Sequence, residues 1–261
     1  MDQLLYKNGI ESIILGVEDM QSKDIQRIKL SAVRNLFAGI LILIKALLDD
    51  KEKGCIYKVK KNPDGEKHTL DYFEIKRKCE DLKLEINFKP IDELHKFRND
   101  LEHRYPKFTP TTLKPALEKC CSVLHNILTD CMGKEPVEEL GHKAWNYLLK
   151  NVEIFQRESK KTTVFRNSIR CQEEVMKNAL IYFHCPNCGS ELIKGKDAQQ
   201  NGIQCIGCGE TISFSTYIEL SLAEYADVLS ENAYKDGGNS NLAKCPYCTY
   251  EVSEKRCNKL R

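Results

Sequence analysis

The segment FRNDLEHRY, residues 97–105, decides how the N-terminal part of this chain is interpreted. On a helix with about 100° per residue, its apolar side chains share one stripe with Leu94. Its polar side chains cover the opposite side, together with His95. The segment therefore predicts an amphipathic helix that packs on a hydrophobic core and presents an arginine, an amide and a histidine on its polar side.

Two of these polar side chains suit chemistry on a phosphodiester. Arg98 is a permanent cation that binds phosphate oxygens through two nitrogens, and His103 can exchange a proton near neutral pH. The alternative is a solvated helix face on which Arg98 and Glu102 form an i,i+4 ion pair of about 0.2–0.5 kcal/mol. Because Arg98 and His103 lie about 140° apart around an ideal helix, one helix does not direct both onto one phosphate.

Residues 1–157 are predicted to be mostly helical. A long helix over residues 24–50, capped by Ser22, contains the most apolar run of the chain, Leu36–Ile44. That run is far shorter than the roughly 20 residues that span a bilayer, so it predicts a buried helix. Further elements are a strand at 57–60, a turn at 62–65, and helices over 71–82, 91–103, 111–131 and from 136 onward. The last helix carries apolar side chains at helical spacing: Ala144, Leu148, Val152 and Phe155.

The net charge of the chain is too small to attract nucleic acid over the whole surface. The chain of 261 residues has 40 Lys and Arg against 38 Asp and Glu, a net charge near +2, so any RNA site must be a local patch. The start, Met1-Asp2-Gln3, is unlike a signal peptide. Thirteen cysteines without a secretory context favour reduced thiols, a cytoplasmic location and no disulfide framework. The shortness of the apolar run 36–44 favours a protein without a membrane partner.

Two cysteine pairs, Cys185-Pro-Asn-Cys188 and Cys205-Ile-Gly-Cys208, are separated by 16 residues. Each pair allows one tight turn to direct both sulfurs at one ion, and two such turns complete a tetrahedron. The segments at 191–194 and 202–204 are expected to be strands. The pattern predicts a structural Zn²⁺ site in a small zinc ribbon, with no open coordination position for catalysis.

A third pair, Cys245 and Cys248, is followed by Cys257 but by no fourth cysteine at the same spacing. A second metal site here would need a ligand from elsewhere, such as His184 or Cys171, and the alternative is an empty ribbon. The other cysteines are expected to be small apolar core residues: Cys55, Cys79, Cys120, Cys121 and Cys131.

The motif Arg98-Asn99-x3-His103, together with the earlier apolar helix at 35–45, resembles the signature of the HEPN domain. The resemblance covers residues 5–155. It implies a helical bundle of the kind found in many prokaryotic ribonucleases of antiviral defence and toxin systems. It also implies a homodimer in which one motif from each protomer lines a shared cleft.

The resemblance further implies that RNA is cut without a metal, by attack of a 2′-hydroxyl on the adjacent phosphorus. His103 would be the general base or acid, and Arg98 would neutralise charge on the phosphoryl oxygens. Asn99 would orient His103 or hold the phosphate. Because DNA lacks the 2′-hydroxyl, RNA specificity is expected. The side chains expected to contact substrate are Glu102, Arg104 and Tyr105.

The expected protein is therefore mainly α, with a HEPN-like helical domain (1–157), a connecting helix (158–182) and a zinc-ribbon region (183–261). The expected function is that of an endoribonuclease whose zinc module recognises RNA or a regulatory or defence-system partner protein. The alternative is a non-catalytic module that binds nucleic acid or a partner protein. A zinc-ribbon transcription regulator is disfavoured by the near-neutral charge.

Overall fold

The computed structural model describes residues 2–61, 67–103, 110–170, 173–196, 202–235, 242–244 and 251–253. The chain divides into two compact units, Met1–Phe155 and Gln156–Arg261. The described part is mainly helical, as predicted, with short antiparallel strands. The division lies close to residue 157, where the sequence predicts the end of the helical domain.

The first unit contains seven α-helices and one hairpin among its described residues. The helices are α1 (Gln3–Met20), α2 (Ile25–Arg27), α3 (Val33–Lys51), α4 (Tyr72–Asp81), α5 (Phe88–His103), α6 (Pro110–Asn126) and α7 (Pro136–Leu148). Two π-helical turns, Ile28–Ala32 and Ile127–Cys131, join α2 to α3 and extend α6. The strands β1 (Tyr57–Lys61) and β2 (Lys67–Thr69) pair antiparallel, so the predicted strand is confirmed, and the turn at 62–65 lies outside the described residues.

Polar caps set where two of these helices begin. Asp71 and Glu74 form a capping box that starts α4 within the predicted range. The long helix, however, is capped by Asp24, whose carboxylate accepts from the Gln26 N–H at 2.9 Å. The prediction of Ser22 as the cap was wrong, because Asp24 stands directly before the first helical residue.

The core of the first unit forms where α1 and α3 approach closely. Gly39 permits the approach, since a Cβ there would lie 2.6 Å from Ile13 Cγ1 and 2.9 Å from the Gly9 carbonyl oxygen. Leu36, Ile40, Leu43 and Ile44 are fully buried, which confirms the apolar run as core. The whole helix Ile25–Lys51 has 27 residues and is apolar enough to cross a membrane, but 56% of its most apolar window is buried inside the fold.

The helix predicted from residue 136 onward is not continuous. Gly141 adopts φ +73° inside α7, a conformation that glycine tolerates and that breaks the helical path. A new helix, α8 (Val152–Ser168), begins after Asn151, whose side-chain oxygen accepts two backbone N–H groups of its first turn. Two side chains expected to face inward are therefore exposed: Val152 and Phe155.

The second unit surrounds a three-stranded antiparallel sheet with helices. Its elements are the remainder of α8, α9 (Glu174–Ala179), β3 (Ile193–Gly195), β4 (Ile203–Cys205), β5 (Thr211–Ile212), α10 (Phe214–Lys235), β6 (Leu242–Lys244) and β7 (Glu251–Ser253). The sheet order is β3-β4-β5, and β6 pairs with β7. The buried core of this unit includes Ile169, Leu180, Phe183, Ile193, Ile203 and Tyr217.

A helix side chain binds the outer edge of β3. The hydroxyl of Thr162 in α8 donates to the Ile193 carbonyl oxygen at 2.9 Å and accepts from the Ile193 N–H at 3.0 Å. Thr162 is buried, so one hydroxyl satisfies both backbone groups of a residue that, among the described strands, has no neighbour on this side.

Candidate functional site

The four cysteines of the two pairs form one group, here called the cysteine cluster: Cys185, Cys188, Cys205 and Cys208. All four sulfurs lie within 4.8 Å of one another. Two sulfur–sulfur distances, Cys185 to Cys208 and Cys188 to Cys205, are 3.6 Å. A tetrahedron with Zn–S bonds of about 2.3 Å has edges of about 3.8 Å, so the cluster has the dimensions of a four-thiolate metal site.

The backbone builds the cluster by repeating one turn. In each pair the glycine N–H returns to the first cysteine carbonyl: Gly189 to Cys185 at 2.8 Å, and Gly209 to Cys205 at 2.9 Å. Both glycines have positive φ, +70° and +75°, which closes the turn without a Cβ clash. The two turns then face each other across β3 and β4, which confirms the strands predicted at this site.

Three thiols of the cluster, Cys188, Cys205 and Cys208, have pKa values that depart from the ordinary cysteine value. Burial raises the pKa of Cys188 to about 11. Burial would also raise the pKa of Cys208, but hydrogen bonds from the Glu210 backbone and from Asn187 hold it below its ordinary value. Asn187 of the first turn and the Glu210 backbone after the second turn therefore supply donors that favour a thiolate, the form of cysteine that binds metal.

His184 adjoins the cluster in sequence but is engaged elsewhere. Its Nδ1 bonds the Glu224 carboxylate of α10, and its backbone N–H donates to the same group at 3.2 Å. The metal-sized cluster therefore consists of the four cysteine sulfurs, and the His184 ring faces Glu224. The residues of the expected second metal site, Cys245, Cys248 and Cys257, lie outside the described residues.

The remaining described cysteines carry reduced thiols without disulfides. Cys79, Cys120 and Cys121 are buried, and burial raises the pKa of each thiol. They are therefore small apolar residues of the core, as predicted, whereas Cys55 and Cys131 are only partly buried.

The second group, here called the arginine site, lies on α5 and comprises Arg98, Asn99, Glu102 and His103. The Arg98 side chain is 37% exposed, and its Nε lies 3.1 Å from Glu102 Oε1. The i,i+4 ion pair of the alternative interpretation is thus present. Its guanidinium carbon also lies 6.0 Å from the centre of the Phe37 ring of α3, so an aromatic face supports the cation.

A second arginine, which the sequence analysis did not single out, shares the same carboxylate. Arg34 Nε of α3 lies 3.8 Å from Glu102 Oε1, so one carboxylate stands between two guanidinium groups. The two arginines and the one carboxylate together carry one net positive charge on a partly exposed surface. This shared carboxylate becomes visible only when α3 packs on α5, because residues 34 and 102 are far apart in sequence.

Asn99 contacts different partners from those expected. Its Oδ1 accepts from Arg98 Nη1 at 3.0 Å, and its Nδ2 lies 3.2 Å from Nε2 of His95. In the described part of the chain, Asn99 makes no hydrogen bond to His103. The expected orientation of His103 by Asn99 is therefore absent from this geometry.

His103 is the last residue of α5, and its side chain is exposed. Within the described residues no hydrogen bond or ion pair reaches its ring. The two further residues expected to contact substrate, Arg104 and Tyr105, lie outside the described residues.

His95 is only partly exposed, although the ideal helix places it on the polar side. Its ring stacks on Phe37 with centres 5.2 Å apart and lies 4.4 Å from the Tyr72 ring and 5.7 Å from the Phe73 ring. Rings from α3 and α4 thus contact it. Burial, followed by the charge of Arg98, lowers the pKa of His95, while Asp92 opposes the shift.

A polar network centred on the buried Asp19 carboxylate links α1 to the helix that continues into α3. The Asp19 carboxylate of α1 is 4% exposed. It accepts from Arg27 Nε at 2.6 Å, from the Ser31 hydroxyl and from Asn35 Nδ2 at 3.3 Å. The sequence gives no signal for this cluster, because its members come from two separate helices.

The fold and these two sites define a mainly helical protein with a four-cysteine cluster close enough to hold a metal ion. Comparison with protein-family models, with curated proteins and with solved structures finds no match to this chain.

Proposed function

We propose that this protein is a homodimeric endoribonuclease of the HEPN type that cleaves RNA without a catalytic metal, in prokaryotic antiviral defence or a toxin system. The observation that carries the proposal is the presence of Arg98 and His103, both solvent-accessible, on the last turns of one helix of a helical unit. The resemblance of the motif to the HEPN signature supplies the reaction.

The arginine site has a guanidinium that is held in position and can bind an RNA phosphate. The guanidinium of Arg98 is held by Asn99, Glu102 and the Phe37 ring, so its position is defined before a phosphate arrives. Preorganised cations of this kind stabilise charge that develops in a transition state. Arg34 adds a second cation within reach of the same carboxylate.

In the proposed reaction, one copy of His103 accepts the proton of the 2′-hydroxyl, and the 2′-oxygen bonds to the adjacent phosphorus. The bond from phosphorus to the 5′-oxygen breaks, and this oxygen takes a proton from a protonated second copy of His103. The products are a 2′,3′-cyclic phosphate and a 5′-hydroxyl. Arg98 of each copy binds the phosphoryl oxygens, which explains why the site requires two copies of α5.

The cysteine cluster is proposed to hold one structural Zn²⁺. Four thiolates fill the tetrahedron and leave no position for substrate, so the ion would stabilise the second unit and take no part in the cleavage. The ribbon is proposed to recognise RNA or a regulatory partner protein.

The test is cleavage of a 3′-labelled single-stranded RNA by the purified chain in EDTA, with identification of the product ends. We expect cyclic phosphate products, no cleavage of a strand with a 2′-deoxy scissile nucleotide, and a loss of about 10²–10⁴-fold for His103→Ala. Arg98→Ala should also lose cleavage. Lys96→Ala, at an exposed position of the same helix, is the control. Cleavage by His103→Ala at the wild-type rate would refute the assignment.

The second candidate is a non-catalytic module that binds nucleic acid or a partner protein. The ion pair of Arg98 with Glu102 favours it, because a guanidinium that is already neutralised can serve structure alone. This alternative predicts that wild-type protein binds RNA or a partner but cuts no RNA at any protein concentration.

A further inference from the structure

The side-chain amide of Asn99 is held at both ends. One end faces Nη1 of Arg98 at 3.0 Å, and the other faces Nε2 of His95 at 3.2 Å. All three residues lie within two turns of α5, so the amide bridges an imidazole to a partly exposed guanidinium.

Donor and acceptor chemistry fixes the protonation state of this bridge. A guanidinium only donates, so the atom of Asn99 that faces Arg98 must be the oxygen. The NH₂ group then faces His95, and because it too only donates, Nε2 must accept. The His95 ring is therefore neutral, with its proton on Nδ1.

The surroundings of His95 agree with a neutral ring. Aromatic rings of α3 and α4 contact it, and Asp92, the anion whose charge acts on it, is already bound by Tyr72 at 2.7 Å and by Lys76 at 2.8 Å. The pKa of Asp92 stays below its ordinary value because these two donors outweigh its burial, so it remains charged. Tyr72 of α4 contacts the ring, and the charges of Asp92 and Arg98 of α5 act on it. These two charges are paired in turn with Lys76 of α4 and Glu102 of α5, and Glu102 also pairs with Arg34 of α3.

Protonation of His95 breaks the bridge. An Nε2–H would face the NH₂ group of Asn99, donor against donor. Turning the amide would restore the bond to His95 but would place NH₂ against Nη1 of Arg98. Only one end can be satisfied, so Arg98 loses one of the groups that hold it.

We propose that His95 is a positioning residue that, as a neutral imidazole, holds Asn99 and through it the phosphate-binding guanidinium of Arg98. The consequence for RNA rests on the proposed function, whereas the state of the bridge does not. The bridge is formed when the pH lies above the pKa of His95, and it is lost as the pH falls through that pKa. In the same interval the unfolded chain, with an ordinary histidine pKa of 6.5, takes up its proton first, so the free energy of unfolding also decreases.

The first test observes the bridge directly in wild-type protein by ¹⁵N NMR of the histidine rings and side-chain amides between pH 5 and pH 8. We expect His95 Nε2 to be unprotonated at pH 7.5, with a titration midpoint below 6.5, and the Asn99 NH₂ resonances to shift with the same midpoint. A protonated Nε2 at pH 7.5 would overturn the proposal.

The second test measures the affinity of a 2′-deoxy-substituted, uncleavable RNA by fluorescence anisotropy, in a His103→Ala background that removes the histidine of the RNA-cleavage motif. Affinity should fall on the order of tenfold as His95 becomes protonated. His95→Gln, which offers a pH-independent acceptor, should flatten this profile. The chain provides a matched control in His142→Gln, because His142 Nε2 faces Asn146 Nδ2 at 2.7 Å on an exposed helix surface.

The outcomes separate the two proposals. A His95→Gln protein with the unchanged pH profile refutes the positioning role. Coupled NMR titrations in a protein that cuts no RNA would refute the proposed function and leave the bridge established.

Discussion

The cysteine cluster and the arginine site reach defined geometry by different means. In the cluster, backbone turns place the sulfurs, and each turn depends on residues that are adjacent in sequence. In the arginine site, long side chains from α3 and α5 place one another through ion pairs and ring contacts. Spacing in sequence therefore encodes the first site almost completely, whereas the second depends on tertiary packing that spacing does not record.

The largest expected effect is confined to the second unit. If the cysteine cluster holds Zn²⁺ as proposed, removal of the ion by a strong chelator, or Cys205→Ser, should unfold the ribbon while the helices of the first unit persist. Loss of a thiolate ligand should weaken zinc binding by more than the roughly 10–100-fold typical of changes beyond the ligands. Amide exchange of β3 and β4, with zinc stoichiometry by native mass spectrometry, measures this. Cys79→Ser in the first unit is the control, and equal zinc loss there would contradict the assignment.

The next effect is confined to the first unit and concerns its buried polar network. Asp19→Ala should lower the free energy of unfolding by about 3 kcal/mol, because Ser31 and Asn35 lose their buried acceptor. The Arg27 partner is half exposed and contributes less. Urea unfolding followed by circular dichroism measures the change. Glu11→Ala, an exposed acid on the same helix, should stay within about 0.5 kcal/mol, and similar losses for both would disprove the role of burial.

A close helix contact distinguishes the first unit from the ribbon. Gly39→Ala should lower the free energy of unfolding by about 2 kcal/mol, although alanine favours helices, because its Cβ would meet α1 backbone at 2.9 Å. Thermal unfolding of the zinc-loaded protein, with exchange of α1 and α3 amides, reports it. Asn8→Ala on the exposed side of α1 is the comparison, and a stabilised Gly39→Ala protein would show that the helices separate freely.

The smallest effect tests whether side chains also matter in the second unit. Thr162→Val keeps the shape of the residue but leaves both backbone groups of Ile193 unpaired, at a cost of about 1–2 kcal/mol. Thr163→Val, next in sequence but exposed, should be nearly neutral. Guanidinium unfolding of the zinc-bound protein, monitored on the β3 amides, compares the two. Indistinguishable variants would indicate that the metal alone sustains the sheet.

Sequence patterns predicted most of the structural features that depend on residues close together in sequence. Periodicity located α5 and the buried run in α3, and the cysteine spacing located the strands of the ribbon. These patterns failed where other elements intervene. His95 belongs to the polar side of an ideal helix, yet Phe37 and Tyr72 contact it. The break at Gly141 was also missed, because the sequence pattern does not indicate whether a glycine within an apolar helical segment adopts positive φ.

The hydroxyl of Thr162 has a consequence for how the ribbon meets other chains. The edge of a β-sheet ordinarily offers unpaired N–H and C=O groups to any extended peptide, and so invites strand addition and aggregation. At Ile193 both groups are already occupied by a single side chain from α8. A partner that binds as an added strand at Ile193 would therefore have to displace a buried threonine, so this position of β3 is closed to strand addition.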